Sequence, residues 1–323
     1  MPSRIVERIL AQTGVPRLFS VLAEDLPLSD LQSLLLEVYQ ARSAALRERD
    51  VVARAQPGLM APSKVEARLL HKFDGVAFDV ASGFEAIELS PVGPLGLNRV
   101  LGDVGQNSVL TTIRNAEVLG DATMALALEC SWRRKAEGRS GAAVQLCSSH
   151  RMVRMQPFDV PGYVPHFRLF SMVSAGRDTG SHAFEVERLG EHVGFYLRLF
   201  QALNERGFRF GSPLVEISDP AITVALLESQ GISLDEVRRE IRAHRVGGSD
   251  RFLAERGVTF PDAAEIIAEH RRLALLQSRL VEVLRAFPDA QLRFNFARLE
   301  GLAYYSGATL RISPAAPDGQ RYP

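Results

Sequence analysis

The residues best placed for chemistry lie between Ser148 and Asp178, in the run SSHRMVRMQPFDVPGYVPHFRLFSMVSAGRD. Two short β-forming stretches flank a Pro/Gly-rich turn, the pattern of a hairpin. The first arm carries Arg151 and Arg154, and the second carries His166, Arg168 and Phe170. Together they offer cations for a phosphate group and an aromatic face for a base. The same residues also suit a surface hairpin with solvated arginines, a surface role for Arg151 and a core role for Phe170.

Two further stretches bear on this. Asp121 and Thr123 stand at the mouth of a helical run, VLGDATMALALECSWRR, where Asp121 serves either as an N-cap or, with Thr123, as a group facing a ligand's ammonium. Leu302-Ala303-Tyr304-Tyr305-Ser306-Gly307 closes a strand-turn-strand pattern in which Leu292, Phe294 and Phe296 alternate before Gly301.

These stretches must be positioned by a mixed framework. Residues 1–60 read as helical, with Leu28, Leu31, Leu34, Leu35 and Val38 at helical spacing. Ser63 and Glu66 form a capping-box pattern ahead of a helix ending near Gly83, and Gly83–Pro91 reads as a strand. Gly93–Asp121 reads as a long polar loop containing Asn98, Gln106 and Glu117. After the hairpin come a helix with a Leu189, Val193, Leu197, Phe200 stripe and a Gly207 stop, the strand SPLVEISD, and a mostly helical region over 219–288. In that region Ser233 and Glu236 form a second capping box, and Pro261–Phe287 reads as one long helix. Arg238, Arg239, Arg242 and Arg245 read as a solvated face.

Composition sets the outer bounds. The 323 residues, 46% apolar and 24% charged, are those of a globular chain with a substantial core. Basic and acidic residues balance at 38 each, so nothing in the overall charge favours a polyanion partner, and tRNA is not expected. Cys130 and Cys147, the only two cysteines, lack metal-ligand spacing and suit buried thiols in a reducing, cytoplasmic setting. No run approaches the roughly 18 apolar residues of a membrane span.

Taken in order, these segments resemble the catalytic core of class II aminoacyl-tRNA synthetases, and in particular histidyl-tRNA synthetase and the regulatory subunit of ATP phosphoribosyltransferase. Helix, Gly-aromatic turn and Pro-closed strand resemble motif 1. Arg154-Met155-Gln156 with His166-x3-Phe170 resembles motif 2, and Gly120-Asp121-Ala122-Thr123 resembles the family's Pro-Glu-Gly-Thr segment. Leu302–Gly307 is similar to the Arg-Gly-Leu-Asp-Tyr-Tyr-Thr-Gly signature.

The resemblance implies an α+β fold, an antiparallel sheet flanked by helices, with an N-terminal helical segment (1–62), a core (63–323) and a helical insertion (about 219–288). It implies ATP and Mg²⁺ as cofactors and a homodimer formed through the motif 1 region. Arg154 would act on the α-phosphate, and Arg151, Gln156, His166 and Phe170 would hold the nucleotide. Asp121, Thr123, Tyr304 and Tyr305 would hold an amino-acid-like ligand. No residues emerge as metal ligands. The departures are equally specific. Glu300 stands where the signature has arginine and Ala303 where it has aspartate, and Met172 and Gly176 fall near the family's histidine-reading Gln and Glu. Histidine is therefore not the expected substrate. Motif 3 and an anticodon-binding domain have no counterpart up to Pro323, so either the natural chain is longer or ATP is held differently. Two functions follow: activation of a small carboxylate as an adenylate outside tRNA charging, or a non-catalytic ligand-binding protein regulating a partner enzyme.

Overall fold

A computed structural model of the chain describes residues 3–55, 58–102, 104–138, 142–155, 164–243, 248–302 and 305–321. It divides into two compact units. The first comprises Met1–Lys64, Ser90–Ala125 and His150–Leu169, and the second Val65–Leu89, Leu126–Ser149 and Phe170–Pro323.

The first unit opens with helices α1 (Arg4–Thr13), α2 (Leu18–Ser20, continued by a π-helical turn at Val21–Asp25), α3 (Leu28–Ala44) and α4 (Glu48–Arg54). The helical expectation holds, but none of these helices fully buries a residue. Leu31 and Leu35 are half-buried, whereas Leu28, Leu34 and Val38 are exposed.

Helix α5 (Ala67–Val80) begins in the second unit and turns Val76 and Ala77 into its core. The Ser63/Glu66 capping box does not form. Glu66 is the extended N-cap residue, and its carboxylate pairs with Arg68 instead. Nor does Gly83 cap the helix, which ends at Ala81 and turns through a bond from Phe84 N–H to the Ala81 carbonyl (2.8 Å). The strand expected over Gly83–Pro91 is two residues long, β1 (Glu85–Ala86), because the backbone changes partners. Ile87 N–H still bonds Cys147, whereas β2 (Val92–Pro94) pairs antiparallel with β3 (Ala116–Val118).

The expected long loop at Gly93–Asp121 is thereby corrected. It contains α6 (Leu97–Gly102), a 3₁₀ turn at Gln106–Ser108 and β3. After α7 (Ala122–Glu137), β4 (Val144–Val153) runs parallel to β1 and adjoins β5 (His166–Ala175). These are the two arms of the expected hairpin, and Arg154 N–H bonds the Pro165 carbonyl where they approach (2.8 Å).

The second unit is built on α8 (Ala183–Glu205), whose Val193 and Leu197 are buried as the stripe predicts. Gly207 closes it with φ +89°, a left-handed conformation that costs glycine little. β6 (Pro213–Ser218) follows, then α9 (Pro220–Ser229), α10 (Leu234–Ala243), α11 (Gly248–Glu255), α12 (Ala263–Glu269) and α13 (Arg271–Leu284). Glu236 N–H bonds Ser233 Oγ, as the capping-box reading expects (3.3 Å). The long helix expected over Pro261–Phe287 is broken at His270 (φ −119°, ψ 93°). The break lets Ile266 and Ile267 pack with Phe296 while Leu276 and Leu280 pack with Val193 and Ile217.

β7 (Gln291–Phe294) and β8 (Thr309–Pro314) flank β6 in the order β7-β6-β8, the first parallel and the second antiparallel to it. One face of this sheet, with Val215, Ile217, Leu292, Phe294, Leu310 and Ile312, packs on α8 and α13. The α+β class is as expected. Cys130 and Cys147 are buried free thiols, and burial raises the pKa of each, that of Cys147 to about 11. No described helix is long and apolar enough to cross a membrane.

A half-buried titratable group of α8 packs within the second unit. His192 bonds Ser174 Oγ (3.0 Å) and meets the Phe84 ring edge-on. Burial, reinforced by Arg188, lowers its pKa from 6.5 to about 4. A histidine that binds its proton more weakly when folded stabilises the fold above pH 6.5 and loses that contribution as pH falls from 6.5 towards 4. The depression corresponds to on the order of 3 kcal/mol. Chemical denaturation at pH 7 and pH 4.5 should show the wild type losing more stability between the two than His192→Gln does.

Candidate functional site

In the first unit, the predicted site residues assemble around the end of β4 and the start of α7. Arg154 follows β4 directly, and its guanidinium is held three ways. Nε donates to the Gly120 carbonyl (2.9 Å), Nη2 lies 3.8 Å from Asp121 Oδ2, and the group sits 5.3 Å from the centre of the Phe167 ring. Contact on several sides leaves the planar cation few orientations. Asp121 precedes α7 and its Oδ1 accepts from Thr123 N–H (2.9 Å) and Thr123 Oγ1 (2.6 Å). This is the N-cap arrangement. The predicted phosphate-directed cation and the two predicted ammonium-directed groups are thus neighbours, gathered at one helix N-terminus.

What holds that terminus was not singled out from the sequence. Glu117, at the centre of β3, is fully buried. Its carboxylate accepts from Asn98 N–H (2.6 Å), Asn98 Nδ2 (2.7 Å), Gly96 N–H (3.2 Å) and Gln106 Nε2 (3.2 Å). Burial alone would raise its pKa, but the hydrogen bonds from Asn98, Gln106 and Gly96 outweigh burial and lower it. Asn98, itself buried, presses on Gly120: a Cβ there would lie 3.3 Å from Asn98 Oδ1 and 3.5 Å from the Val153 carbonyl. Glu117 therefore fixes the segment whose Gly120 carbonyl receives Arg154. The available signal was an acid inside the apolar run Ala116-Glu117-Val118-Leu119.

His166 takes a different part from the one expected. It is buried, with Nε2 2.6 Å from the Ala61 carbonyl and Nδ1 2.8 Å from Arg151 Nη2. A guanidinium only donates and a carbonyl only accepts, so Nδ1 accepts and Nε2 carries the proton. The neutral ring spends both nitrogens orienting Arg151, whose residue is exposed on β4. Arg151, not His166, is the group turned outward. Arg168 is likewise exposed.

Phe170 belongs to the second unit and is a core aromatic there. It stacks on Phe195 (5.5 Å between ring centres) and meets Phe78 edge-on (5.2 Å). Tyr305, in the same unit, is half-exposed, and its ring closes over Gly301 (φ +85°), where a Cβ would come within 2.7 Å of it. Gln156 and Tyr304 lie outside the described residues. Among the described residues no group of three or more His, Cys, Asp or Glu side chains could hold a metal.

Comparison with known proteins rests on structure alone: neither a family model nor a curated sequence matches the chain. Solved structures share its fold, among them three histidyl-tRNA synthetase-like proteins. An ATP phosphoribosyltransferase regulatory subunit/histidyl-tRNA synthetase from Bacillus halodurans superposes with a TM-score of 0.54 at 14% identity, covering 80% of this chain and 72% of that one. A histidyl-tRNA synthetase from Nostoc sp. PCC 7120 gives 0.51 at 16%, covering 78% and 63%. A histidine–tRNA ligase subunit from Alicyclobacillus acidocaldarius gives 0.52 at 16%, covering 80% and 84%. The chain has the histidyl-tRNA synthetase-like class II fold, as the order of its motifs implied.

The Glu117 network yields a stability prediction. Glu117→Gln places an amide nitrogen among donors and should cost about 2–4 kcal/mol. Because folding lowers the Glu117 pKa, the wild type should also lose that stabilisation as pH falls below the ordinary carboxylate range, and the variant should not. Denaturant midpoints measured from pH 7 to pH 3 check both.

Proposed function

We propose that this protein binds ATP and an amino acid or small carboxylate other than histidine, and activates the carboxylate as an adenylate outside tRNA charging. The observation that carries this reading is the placement of Arg154 beside Asp121 and Thr123. A cation held by its neighbours, with little to reorganise, suits the charge that builds on a phosphate under attack. Asp121 suits a ligand ammonium. Arg151, aimed outward by His166, would hold the outer phosphates. ATP would supply the adenylyl group, its α-phosphorus accepting the carboxylate oxygen as pyrophosphate leaves. The described residues offer no cluster of three or more His, Cys, Asp or Glu for Mg²⁺. The exposed Val65 and Leu69, just before and within α5, support a homodimer formed through that region.

A second reading, a ligand-binding regulator of a partner enzyme, is favoured by a different observation. His166 has both ring nitrogens engaged and Phe170 is packed among core aromatics. Neither is free to serve a nucleotide as the resemblance implied.

Pyrophosphate exchange separates the two. With each of the twenty amino acids in turn, the adenylate-forming reading expects one to support exchange and expects Arg154→Ala to reduce it at least 100-fold. Absence of exchange, with ligand binding retained and a second protein co-purifying, favours the regulator.

A further inference from the structure

The face of the β7-β6-β8 sheet turned away from its core is polar almost throughout. Strand alternation places Glu216 and Ser218 of β6 on it with Thr309, Arg311 and Ser313 of β8 and Arg293 of β7. Register sets Glu216 opposite both Arg293 and Arg311, and Ser218 opposite Thr309. Despite this composition, Glu216, Ser218, Thr309 and Ser313 are all buried.

The charges on this face do not balance. Glu216 Oε1 accepts from Arg293 Nη2 (2.6 Å) and Asn295 Nδ2 (3.2 Å), while Arg311 adds its field from across the register. A third guanidinium, that of half-buried Arg298, donates to Thr309 Oγ1, one pleat from Arg311 on the same strand face. Burial, and then the Arg311 charge, lower the Arg298 pKa, with Glu216, Glu300 and Tyr305 only partly offsetting them. Ser218 Oγ is buried on this face without a hydrogen-bond partner. Two half-buried like charges beside a buried, unused hydroxyl are unfavourable unless something of opposite charge joins them.

We propose that Arg298 and Arg311, with Ser218 Oγ, form a binding site for a small-molecule anion, a carboxylate or a phosphate group. The guanidinium forks grip two of its oxygens and the hydroxyl donates to it. The site lies within the second unit and does not rest on the nucleotide reading of the first.

Thermal melts at constant ionic strength test it, using inorganic phosphate, succinate and L-glutamate as probes and neutral L-glutamine as the control. Wild type should be stabilised by at least one anion and not by L-glutamine. Arg298→Gln and Arg311→Gln should each weaken the effective probe at least tenfold. Arg293→Gln, whose partner is Glu216, should change it by less than about threefold. Arg154→Ala should leave it intact, separating this site from the one on the first unit. Without probe, Arg298→Gln should not lower the melting midpoint, because it removes a like-charge contact. Which probe acts tells a phosphate ligand from a carboxylate, and either supports the site. If no anion stabilises the wild type, or the effect survives Arg311→Gln, the proposal is wrong. Arg311→Gln decides the matter should Arg298→Gln fail to fold.

Discussion

The buried carboxylate of Glu117 is the constraint on which the candidate site depends. A lone carboxylate inside a protein is costly, and this one is tolerated because four donors from one short stretch, Gly96 to Gln106, converge on it. The same bonds oblige that stretch to fold back on β3. Asn98 is thereby placed against Gly120, and Gly120 offers its carbonyl to Arg154. The orientation of the most chemically suggestive cation traces to an acid that never meets solvent.

The molecule handles its arginines in contrasting ways. Arg154 and Arg151 are oriented mostly by uncharged groups, a carbonyl, an aromatic face and a neutral imidazole, with one carboxylate, that of Asp121, 3.8 Å from Arg154. Arg272 and Arg279 are absorbed into ion pairs with Asp219 and Glu185, and with Glu187 and Glu282. Arg298 and Arg311 belong to neither pattern, since each adds to the other's repulsion. An arrangement of that kind is costly to the empty fold, and such costs gather at sites that bind something.

The sequence revealed periodicity and order well and local closure poorly. The α8 stripe, the Gly207 stop, β6 and the paired arms of the hairpin follow from spacings of about 3.6 and 2 that tertiary packing reinforced. The capping box at Ser63 failed because the helix starts at Ala67, which makes Glu66 the N-cap residue and not the third residue of the first turn. The break at His270 answers to two separate apolar clusters, visible only once those clusters exist. Within the site, Arg154, Asp121 and Thr123 were legible because their types name their chemistry. The part taken by His166 was not, because it depends on the carbonyl of Ala61, 105 residues away in the chain. Glu117 looked like one more polar residue in a loop until its donors came together in space. Arg298 and Arg311 carried no motif, and only the bond from Arg298 to Thr309, one pleat from Arg311 on β8, brings them together.

The central claim is that Glu117 acts through Arg154. A double-mutant cycle on ATP affinity, measured by titration calorimetry, tests it most directly. If Glu117 serves to position that cation, Glu117→Gln weakens ATP in the wild-type background but changes little once Arg154 is alanine, so the two losses are strongly non-additive. Losses that add in full, or ATP binding untouched by either substitution, would contradict the account.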